Sequence, residues 1–256
     1  MTATTISSWS FSRLAVFEQC AYRARLQWLD KVPDTTPKPA ADRGTTIHSE
    51  AEDYVKDPAD SNLPPSLRKF RPDFESLRTR YREGLVLLEG EWGFDREWRP
   101  VDWRAAWLRL KCDAVIKLSD TALAVVDLKT GARFGNEVKH LDQLMLYAVT
   151  ALLRYPQIEH VTVEDWYLDQ DERSAHSMTR KQMGRHLPVF DKRGRAMTTE
   201  TRFKPNPNLF TCKYCPYSPD KQGDCKFGVS APKTVGKPIA MPTKIINKPS
   251  ATDHLF

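Results

Sequence analysis

The sequence predicts an α/β fold in which a central mixed β-sheet is flanked by helices and the two ends of the chain meet at a four-cysteine site. Three observations support this prediction. Apolar residues recur at helical spacing through most of the first ninety residues or so, and the spacing then changes to alternation, which indicates strands. Cysteines stand near both ends of the chain, at positions Cys20, Cys212, Cys215 and Cys225.

The first predicted element is a single helix over SWSFSRLAVFEQCAYRARLQWLDK, with Ser10 as its N-cap. A proline-rich link, VPDTTPKPAADRG, ends this helix. Helical spacing resumes in TTIHSEAEDYV, where His48 and Glu52 are one turn apart, and a third helix is predicted over residues 72–91. The apolar stripe of the first helix comprises Leu14, Phe17, Ala21, Ala24 and Trp28.

Strands are predicted from Trp107 onward. Residues 107–118 alternate, and ALAVVDLK forms a second strand, which is expected to place Asp127 and Lys129 on one face. An amphipathic helix, EVKHLDQLMLYAVTALLR, and a further strand, VTVEDWYLDQ, come next. Because another strand is expected within EWRPVDW, the centre of the chain is predicted to be β-β-β-α-β. The face expected to be apolar in the 107–118 strand carries Leu108, Leu110, Cys112, Ala114, Ile116 and Leu118.

The chain has 256 residues and 40% hydrophobic content, enough for one large domain or two small ones. After Gln170 a basic segment is predicted to be a helix interrupted at Pro188. Residues 229–256 contain scattered proline and lysine without periodicity, which predicts a flexible basic tail. We therefore expect one domain over residues 1–228.

No apolar run is long enough to span a membrane, and the first residues lack the pattern of a secretory signal. The sequence therefore predicts a cytoplasmic protein without a membrane partner. Its net charge of +6 is compatible with a polyanionic partner such as nucleic acid. Candidate phosphate contacts on the first helix are Arg13, Arg23 and Arg25, and candidate aromatic residues for stacking on bases are Trp166, Tyr167, Tyr214 and Tyr217.

The chain contains five cysteines, and an odd number in a reducing compartment favours thiols or metal ligands over disulfides. Cys112 lies on the apolar side of its strand and is predicted to be a buried hydrophobic residue. The other four form one distant cysteine and a C-x2-C-x9-C group. Four thiolates are enough to close a tetrahedral metal site or an iron–sulfur site that ties the ends of the domain together.

Asp113, Asp127 and Lys129 are predicted to converge. Asp113 projects from the polar face of its strand, and Asp127 and Lys129 share a face of the next strand, so neighbouring strands would bring all three together. Clustered carboxylates bind Mg²⁺ or Mn²⁺, and such an ion activates water for phosphodiester hydrolysis. A lysine beside them can orient the attacking water or stabilise developing charge.

These residues resemble the PD-(D/E)XK nuclease superfamily, and within it the RecB-like exonucleases with four cysteines, the CRISPR-associated and AddB-type members. Asp113 in KCDAVI, and Asp127 with Lys129 in VVDLKTG, match the superfamily's acidic and D/E-x-K motifs. RGTTIHSEAE matches the upstream G-x3-H-x3-E pattern through Gly44, His48 and Glu52, and HLDQLMLYA matches Q-x3-Y through Gln143 and Tyr147. The segments around the four cysteines also resemble those of this family.

The resemblance implies a central mixed sheet and a metal site formed by His48, Asp113 and Asp127. It also implies that Lys129 and Gln143 act in catalysis and that Tyr147 approaches DNA or the same pocket. A 4Fe–4S cluster on the four cysteines is implied as well, and structural Zn²⁺ is the alternative. The implied activity is a Mg²⁺- or Mn²⁺-dependent exonuclease acting on DNA with a single-stranded or free end, in recombination, repair or replication, with a recombination or helicase partner. A structure-specific endonuclease and a DNA-binding subunit without turnover are the alternatives.

Overall fold

The computed structural model describes residues 4–59 and 61–230, and a mixed six-stranded sheet lies at its centre. The strand order is β2-β1-β3-β4-β5-β6, in which β4 and β5 are parallel and every other neighbouring pair is antiparallel. The parallel pair requires a crossover, and a long helix supplies it. The strands are β1 (Val86–Phe94), β2 (Pro100–Val101), β3 (Leu108–Lys117), β4 (Ala122–Lys129), β5 (His160–Tyr167) and β6 (Glu172–Thr179).

Helices cover both faces of the sheet. The helices are α1 (Phe11–Gln19), α2 (Ala21–Trp28), α3 (Pro39–Lys56), α4 (Arg71–Arg82), α5 (Glu137–Arg154), α6 (Arg180–Thr199) and α7 (Leu209–Lys213). Short 3₁₀ helices lie at Pro65–Phe70 and Pro219–Lys221. One apolar core joins α1, α5 and α6 to the sheet, and a second joins α3 and α4 to the opposite face. None of the described helices is both long and apolar enough to cross a membrane.

In β1 and β3, residues of the same parity point to one face of the sheet in the first half of the strand and to the other face in the second half. On β1, Val86 and Leu88 pack against the core under α3 and α4, whereas Trp92, which has the same parity, lies in the other core. On β3, Ala114 likewise belongs to the core under α3 and α4, and Cys112 belongs to the other. The sequence predicted that every second residue from Leu108 to Leu118 lies on one face of β3. This prediction is therefore wrong.

The exchange of faces occurs where Glu89 stands opposite Asp113. Leu88 pairs with Ala114 and Gly90 pairs with Cys112, but the two acidic residues between them are not paired in the ladder. Glu89 has a φ of 51°, a left-handed conformation that few side chains other than those of Asn and Asp adopt readily. Such irregularities in strands often redirect a side chain next to a functional site.

The predicted order of elements in the centre of the chain is confirmed, and ALAVVDLK and the crossover helix have the predicted bounds. The predicted first helix is in fact two helices, because Cys20 is extended (φ −160°, ψ 105°) and separates α1 from α2. The predicted third helix stops at Arg82, and its last residues belong to β1. Strand β6 was not predicted from the sequence, and α6 continues through Pro188 without ending there.

Two further expectations concern Cys112 and the end of the chain. Cys112 is fully buried in the core beside α5, as predicted. The predicted tail, residues 229–256, lies almost wholly outside the described residues.

Candidate active site

Strands β3 and β4 separate at the predicted acidic residues. The last ladder pair is Ala114 with Val126, and one position further along Asp113 stands opposite Asp127. The Asp113 carboxylate replaces the missing ladder bond, since its Oδ2 accepts a hydrogen bond of 2.6 Å from the backbone N–H of Leu128. The two carboxylates therefore lie at the edge of a gap between neighbouring strands.

Helix α3 brings His48 to Asp113. The His48 Nδ1 atom lies 3.0 Å from Oδ1 of Asp113. This hydrogen bond raises the pKa of His48 above its usual value, and burial of the imidazole opposes the shift. Burial raises the pKa of Asp113, and the Asp127 carboxylate adds to this, whereas His48 acts in the other direction. A cation bound here would favour the charged form of Asp113.

Glu89 is a third candidate ligand, and it was not predicted from the sequence. One nitrogen of His48 and one carboxylate oxygen each of Glu89 and Asp113 all lie within 4.8 Å of one another. The two carboxylates suit a hard divalent ion such as Mg²⁺ or Mn²⁺, and the imidazole nitrogen is a softer donor beside them. Glu89 was missed because residues 72–91 were predicted to be helical, although two acidic residues inside the mostly apolar run VLLEGEWGF were a signal. The Glu89 carboxylate also forms an ion pair with Lys111.

The other predicted residues form a hydrogen-bonded group around Asp127. Lys129 Nζ pairs with the Asp127 carboxylate and donates a hydrogen bond of 3.0 Å to Oε1 of Gln143. The amide nitrogen of Gln143 lies 3.2 Å from Oδ1 of Asp127 and 2.9 Å from the Tyr147 hydroxyl. Tyr147 is buried, and its hydroxyl lies 3.1 Å from Oδ1 of Asp127. Lys129 and Gln143 lie close together because α5 follows β4 along the chain and packs against the sheet beside it.

Asp165 is a second acidic residue that was not predicted from the sequence. It lies opposite Asp127 on the parallel neighbour β5, is only 1% exposed, and approaches Lys129 Nζ to 3.8 Å. Burial, together with the charge of Asp127, raises the pKa of Asp165 to about 7. The sequence gives one signal of Asp165. It belongs to an acidic pair in VTVEDWY, a strand whose other residues are mostly apolar.

The site therefore consists of two adjoining groups. His48, Glu89 and Asp113 form one, and the group around Asp127 and Lys129 forms the other. A small cavity is lined by His48, Glu89 and Asp113. Glu52 lines it too, but its carboxylate pairs with Lys56. Of the aromatic residues considered for stacking on bases, three are buried in the structure: Trp166, Tyr167 and Tyr217.

The four cysteines other than Cys112 lie around one small cavity. Cys20 reaches it from the break between α1 and α2, Cys212 from α7, and Cys215 and Cys225 from the loops that follow. Burial raises the pKa of the Cys215 thiol, and the nearby Cys225 and Cys20 add to the effect. Among the described residues, no three of these sulfur atoms all lie within 4.8 Å of one another.

A sequence model described as the PD-(D/E)XK nuclease superfamily matches residues 8–219. No curated protein sequence matches the chain significantly.

Among solved structures, the chain matches SSO0001 at 14% identity and a TM-score of 0.44, covering 82% of this chain and 84% of that one. A protein of Eubacterium rectale, provisionally described as an exonuclease, has 10% identity, a TM-score of 0.43 and coverage of 75% and 81%. An alkaline exonuclease of Laribacter hongkongensis has 11% identity, a TM-score of 0.28 and coverage of 76% and 91%. At these values the matches carry no conclusion about the fold or the function of this chain.

Proposed function

The chain belongs to the PD-(D/E)XK nuclease superfamily, and from that premise we propose that it is a Mg²⁺- or Mn²⁺-dependent exonuclease that hydrolyses phosphodiester bonds at DNA ends. One observation carries the proposal. Asp113 and Asp127 stand opposite each other where β3 and β4 separate, with His48 on one side and Lys129 on the other. This arrangement supports the proposal of a metal site and a catalytic cation at one opening of the sheet.

The proposed metal ligands are His48, Asp113 and Asp127, and Glu89 is added because its carboxylate belongs to the same compact group as the first two. The donor set fits a hard divalent ion, and the raised pKa of Asp113 reflects a buried carboxylate that a cation would stabilise. When bound, Mg²⁺ or Mn²⁺ would supply Lewis acidity to the phosphoryl oxygen and lower the pKa of a water molecule.

Lys129 is proposed to stabilise the negative charge that develops as a water oxygen bonds to phosphorus and the bond from phosphorus to the leaving oxygen breaks. Gln143 orients it, because Oε1 of Gln143 accepts a hydrogen bond from Lys129 Nζ. Tyr147 in turn holds Gln143 and Asp127 through its buried hydroxyl. A lysine positioned in advance needs no rearrangement during the reaction.

The test is incubation of the purified protein with Mn²⁺ and end-labelled linear DNA, beside closed circular DNA of the same sequence. We expect loss of the linear DNA and survival of the circles. Nicking of the circles would show a structure-specific endonuclease and overturn the assignment to DNA ends. Binding without cleavage of either substrate would indicate a DNA-binding subunit and overturn the catalytic proposal.

We further propose that Cys20, Cys212, Cys215 and Cys225 bind a 4Fe–4S cluster. Their convergence on one cavity supports a shared metal centre. Zinc sites usually use two C-x2-C pairs, whereas this chain offers one such pair and two single cysteines. Anaerobic purification should yield a brown protein with about four iron and four sulfide ions per chain. A colourless protein with one equivalent of zinc would contradict the cluster and show that the four cysteines bind zinc.

The proposed cellular setting is DNA recombination, repair or replication in the cytoplasm, with a helicase or recombinase as partner. Its support is the proposed activity itself. Affinity purification of the tagged protein before and after DNA damage would test it, and the absence of any helicase or recombinase among the co-purified proteins would contradict the proposed partner.

A further inference from the structure

A large cleft opens beside the group around Asp127. It has a volume of about 850 Å³ and lies between the segment that begins α1 and the first half of β3, with Gln143 and Tyr147 at its border. The segment before α1 lies against β3 because Trp9 forms an isolated bridge with Leu108 beyond the end of the β3–β4 ladder. The volume is within the range of about 300–1,000 Å³ that is typical of ligand sites.

Most of the positive charges that line the cleft have no acidic partner among the residues that the structure describes. Arg13, Arg23, Arg109 and Lys139 all line it, and no described ion pair involves any of them. Burial lowers the pKa of Arg13, and the charge of Arg109 lowers it further. Two neighbouring guanidinium groups therefore repel each other across a partly desolvated cleft, an arrangement that an anion would stabilise.

The start of α1 adds a second source of positive potential. Ser10 is the N-cap of this nine-residue helix, and Ser10, Phe11 and Ser12 all line the cleft. The N-terminus of a helix carries a partial positive charge and backbone N–H groups that suit phosphate oxygens. The serine hydroxyls here are further hydrogen-bond donors for such oxygens.

An aromatic side chain and a direct connection to the candidate metal ligands complete the cleft. Trp103 lines it, and the Arg109 guanidinium lies 5.6 Å from the centre of its ring. Lys111 also lines the cleft, accepts a hydrogen bond of 3.0 Å at its carbonyl from the Tyr147 hydroxyl, and pairs through its ammonium group with Glu89. A chain of phosphates lying in the cleft would therefore run up to both groups of the site.

We propose that this cleft binds the substrate as a single strand of DNA, with Arg13 and Arg109 contacting consecutive phosphates and Trp103 stacking on an unpaired base. The inference rests on the proposed nuclease function and specifies the strand that reaches the site. A cleft of this volume has room for a few nucleotides of one strand. Stacking on aromatic residues and contact with a charged groove are how proteins bind unpaired strands without reading sequence.

The experiment measures binding of a fluorescent single-stranded oligonucleotide by anisotropy, in EDTA so that no turnover occurs, over a range of salt concentrations. The double variant Arg13→Ala/Arg109→Ala is compared with Lys181→Ala/Arg185→Ala, which removes the same charge from exposed positions on α6 outside the cleft. Circular dichroism and thermal melting check that both variants fold. Because Lys139 is exposed, Lys139→Ala provides a single variant that leaves the core intact.

We expect the cleft double variant to bind at least about tenfold more weakly than wild type. Its slope of log affinity against log salt should become shallower by about 0.7 for each phosphate that the variant no longer neutralises, hence by about 1.4 for two. Lys139→Ala should weaken binding about two- to fivefold. The α6 control should stay within about twofold of wild type, and unlabelled duplex should compete more weakly than unlabelled single strand.

Equal affinities of the cleft and α6 double variants, or better competition by duplex, would overturn the inference. Cleavage by wild-type protein in Mn²⁺, measured on the same oligonucleotide, reports separately on the proposed function. If wild type cleaves but the cleft variants bind normally, only the inference fails. If wild type binds through the cleft but cleaves nothing, the proposed function fails and the cleft stands as a binding site for unpaired strands.

Discussion

Each carboxylate of the candidate site has its own set of partners, and these partners indicate its role. Asp113 is held by His48 and the Leu128 N–H, so one of its oxygens is fixed by the backbone. Asp127 is held by a lysine, a glutamine and a tyrosine from β4 and α5. Glu89 approaches from a third direction, on a strand that leaves its regular conformation to present it.

Lys129→Ala should lower DNA cleavage by about 10²–10³-fold, because it removes the cation beside the developing negative charge. Lys117→Ala is the control, since Lys117 is exposed and pairs with Asp120 at the far end of β3. Cleavage rates in Mn²⁺, with binding measured in EDTA, would separate loss of catalysis from loss of substrate. Full activity of the Lys129 variant would remove this residue from the proposed mechanism.

Glu89→Gln should weaken Mn²⁺ binding about ten- to a hundredfold, because it replaces a charged oxygen ligand by a neutral amide. Glu91→Gln is the matched control, two residues along the same strand, exposed, and outside the group of candidate ligands. Isothermal titration of both variants with Mn²⁺ provides the comparison. Equal affinities for the two variants would show that Glu89 is not a ligand.

Asp165→Asn should change how stability depends on pH in the metal-free protein. The folded-state pKa of Asp165 is raised to about 7 from an ordinary value of 3.8, so the folded protein holds this proton more tightly than the unfolded chain. Wild type should therefore lose stability relative to the variant as the pH rises from 4 to 7, by up to about 4 kcal/mol.

Urea unfolding in EDTA at several pH values would measure this difference. Thr162→Val, on the same strand, is the control, because it removes a hydroxyl that contacts Ser177 and no ionisable group. Its effect on the free energy of unfolding should therefore be the same at every pH. A constant difference between wild type and Asp165→Asn across this range would contradict the raised pKa.

At the scale of single elements, α6 holds the N-terminal segment through a close contact. A Cβ atom added at Gly194 would lie 2.6 Å from the Trp9 ring, which is 1% exposed. The neighbouring Trp107 donates a hydrogen bond of 2.9 Å to Thr198 on the same helix. The glycine therefore allows α6 to approach the tryptophan residues closely.

Gly194→Ala should destabilise the protein by about 1–3 kcal/mol, because the tryptophan ring cannot move without disturbing its packing. A Cβ atom added at Gly184 on the same helix meets none of the described residues within 4 Å, apart from its chain neighbours and the local helix backbone. Gly184→Ala should therefore stabilise the protein by about 0.5–1 kcal/mol through helix propensity. Thermal unfolding of the two variants gives opposite shifts if the packing is as described. Equal shifts would contradict the contact with Trp9.

The elements that the sequence predicted best are those whose residue pattern fits only one kind of secondary structure. ALAVVDLK and the crossover helix are long, strongly patterned and bounded by turn residues, and their bounds are confirmed. Strand β1 was missed because Leu85 and Leu88 also fit helical spacing from Phe74 onward. The faces of β3 were mispredicted because a regular period cannot show that two paired strands change faces at Glu89 and Asp113.

The candidate site shows the same division. Strand parity and the motif both pointed to Asp113, Asp127 and Lys129, and the motif alone pointed to Gln143. The structure brings the four side chains to one opening, and their roles in a site stay predictions. Asp165 was not found, because its approach to Lys129 depends on the pairing of β4 with β5, which no local pattern encodes.

At the scale of the whole molecule, the N-terminal helices and the C-terminal segment meet at the cysteine cavity. Direct contacts also join them: Asn206 donates a hydrogen bond of 3.0 Å to the Gln19 carbonyl, and Tyr217 donates one of 3.0 Å to the Val32 carbonyl. A shared metal centre would add a covalent link between segments about two hundred residues apart in sequence.

Cys225→Ser should therefore lower the metal content and reduce the melting temperature by at least about 5 °C, because one ligand of the proposed centre is lost. Ser218→Ala, beside the same cavity, is a control that keeps all four thiols. Metal analysis and thermal melting of both variants give the comparison. Unchanged metal content and melting temperature in Cys225→Ser would contradict a centre held by four cysteines.

The exchange of faces at Glu89 and Asp113 has a thermodynamic consequence for the two cores. The same two strands contribute side chains to both cores, and the point where they cross over is also where the candidate metal ligands lie. An ion held there would act on both halves of the molecule, since it binds only the folded form. Addition of Mn²⁺ should therefore slow amide hydrogen exchange in α4 and in α5 alike, although these helices lie on opposite faces of the sheet.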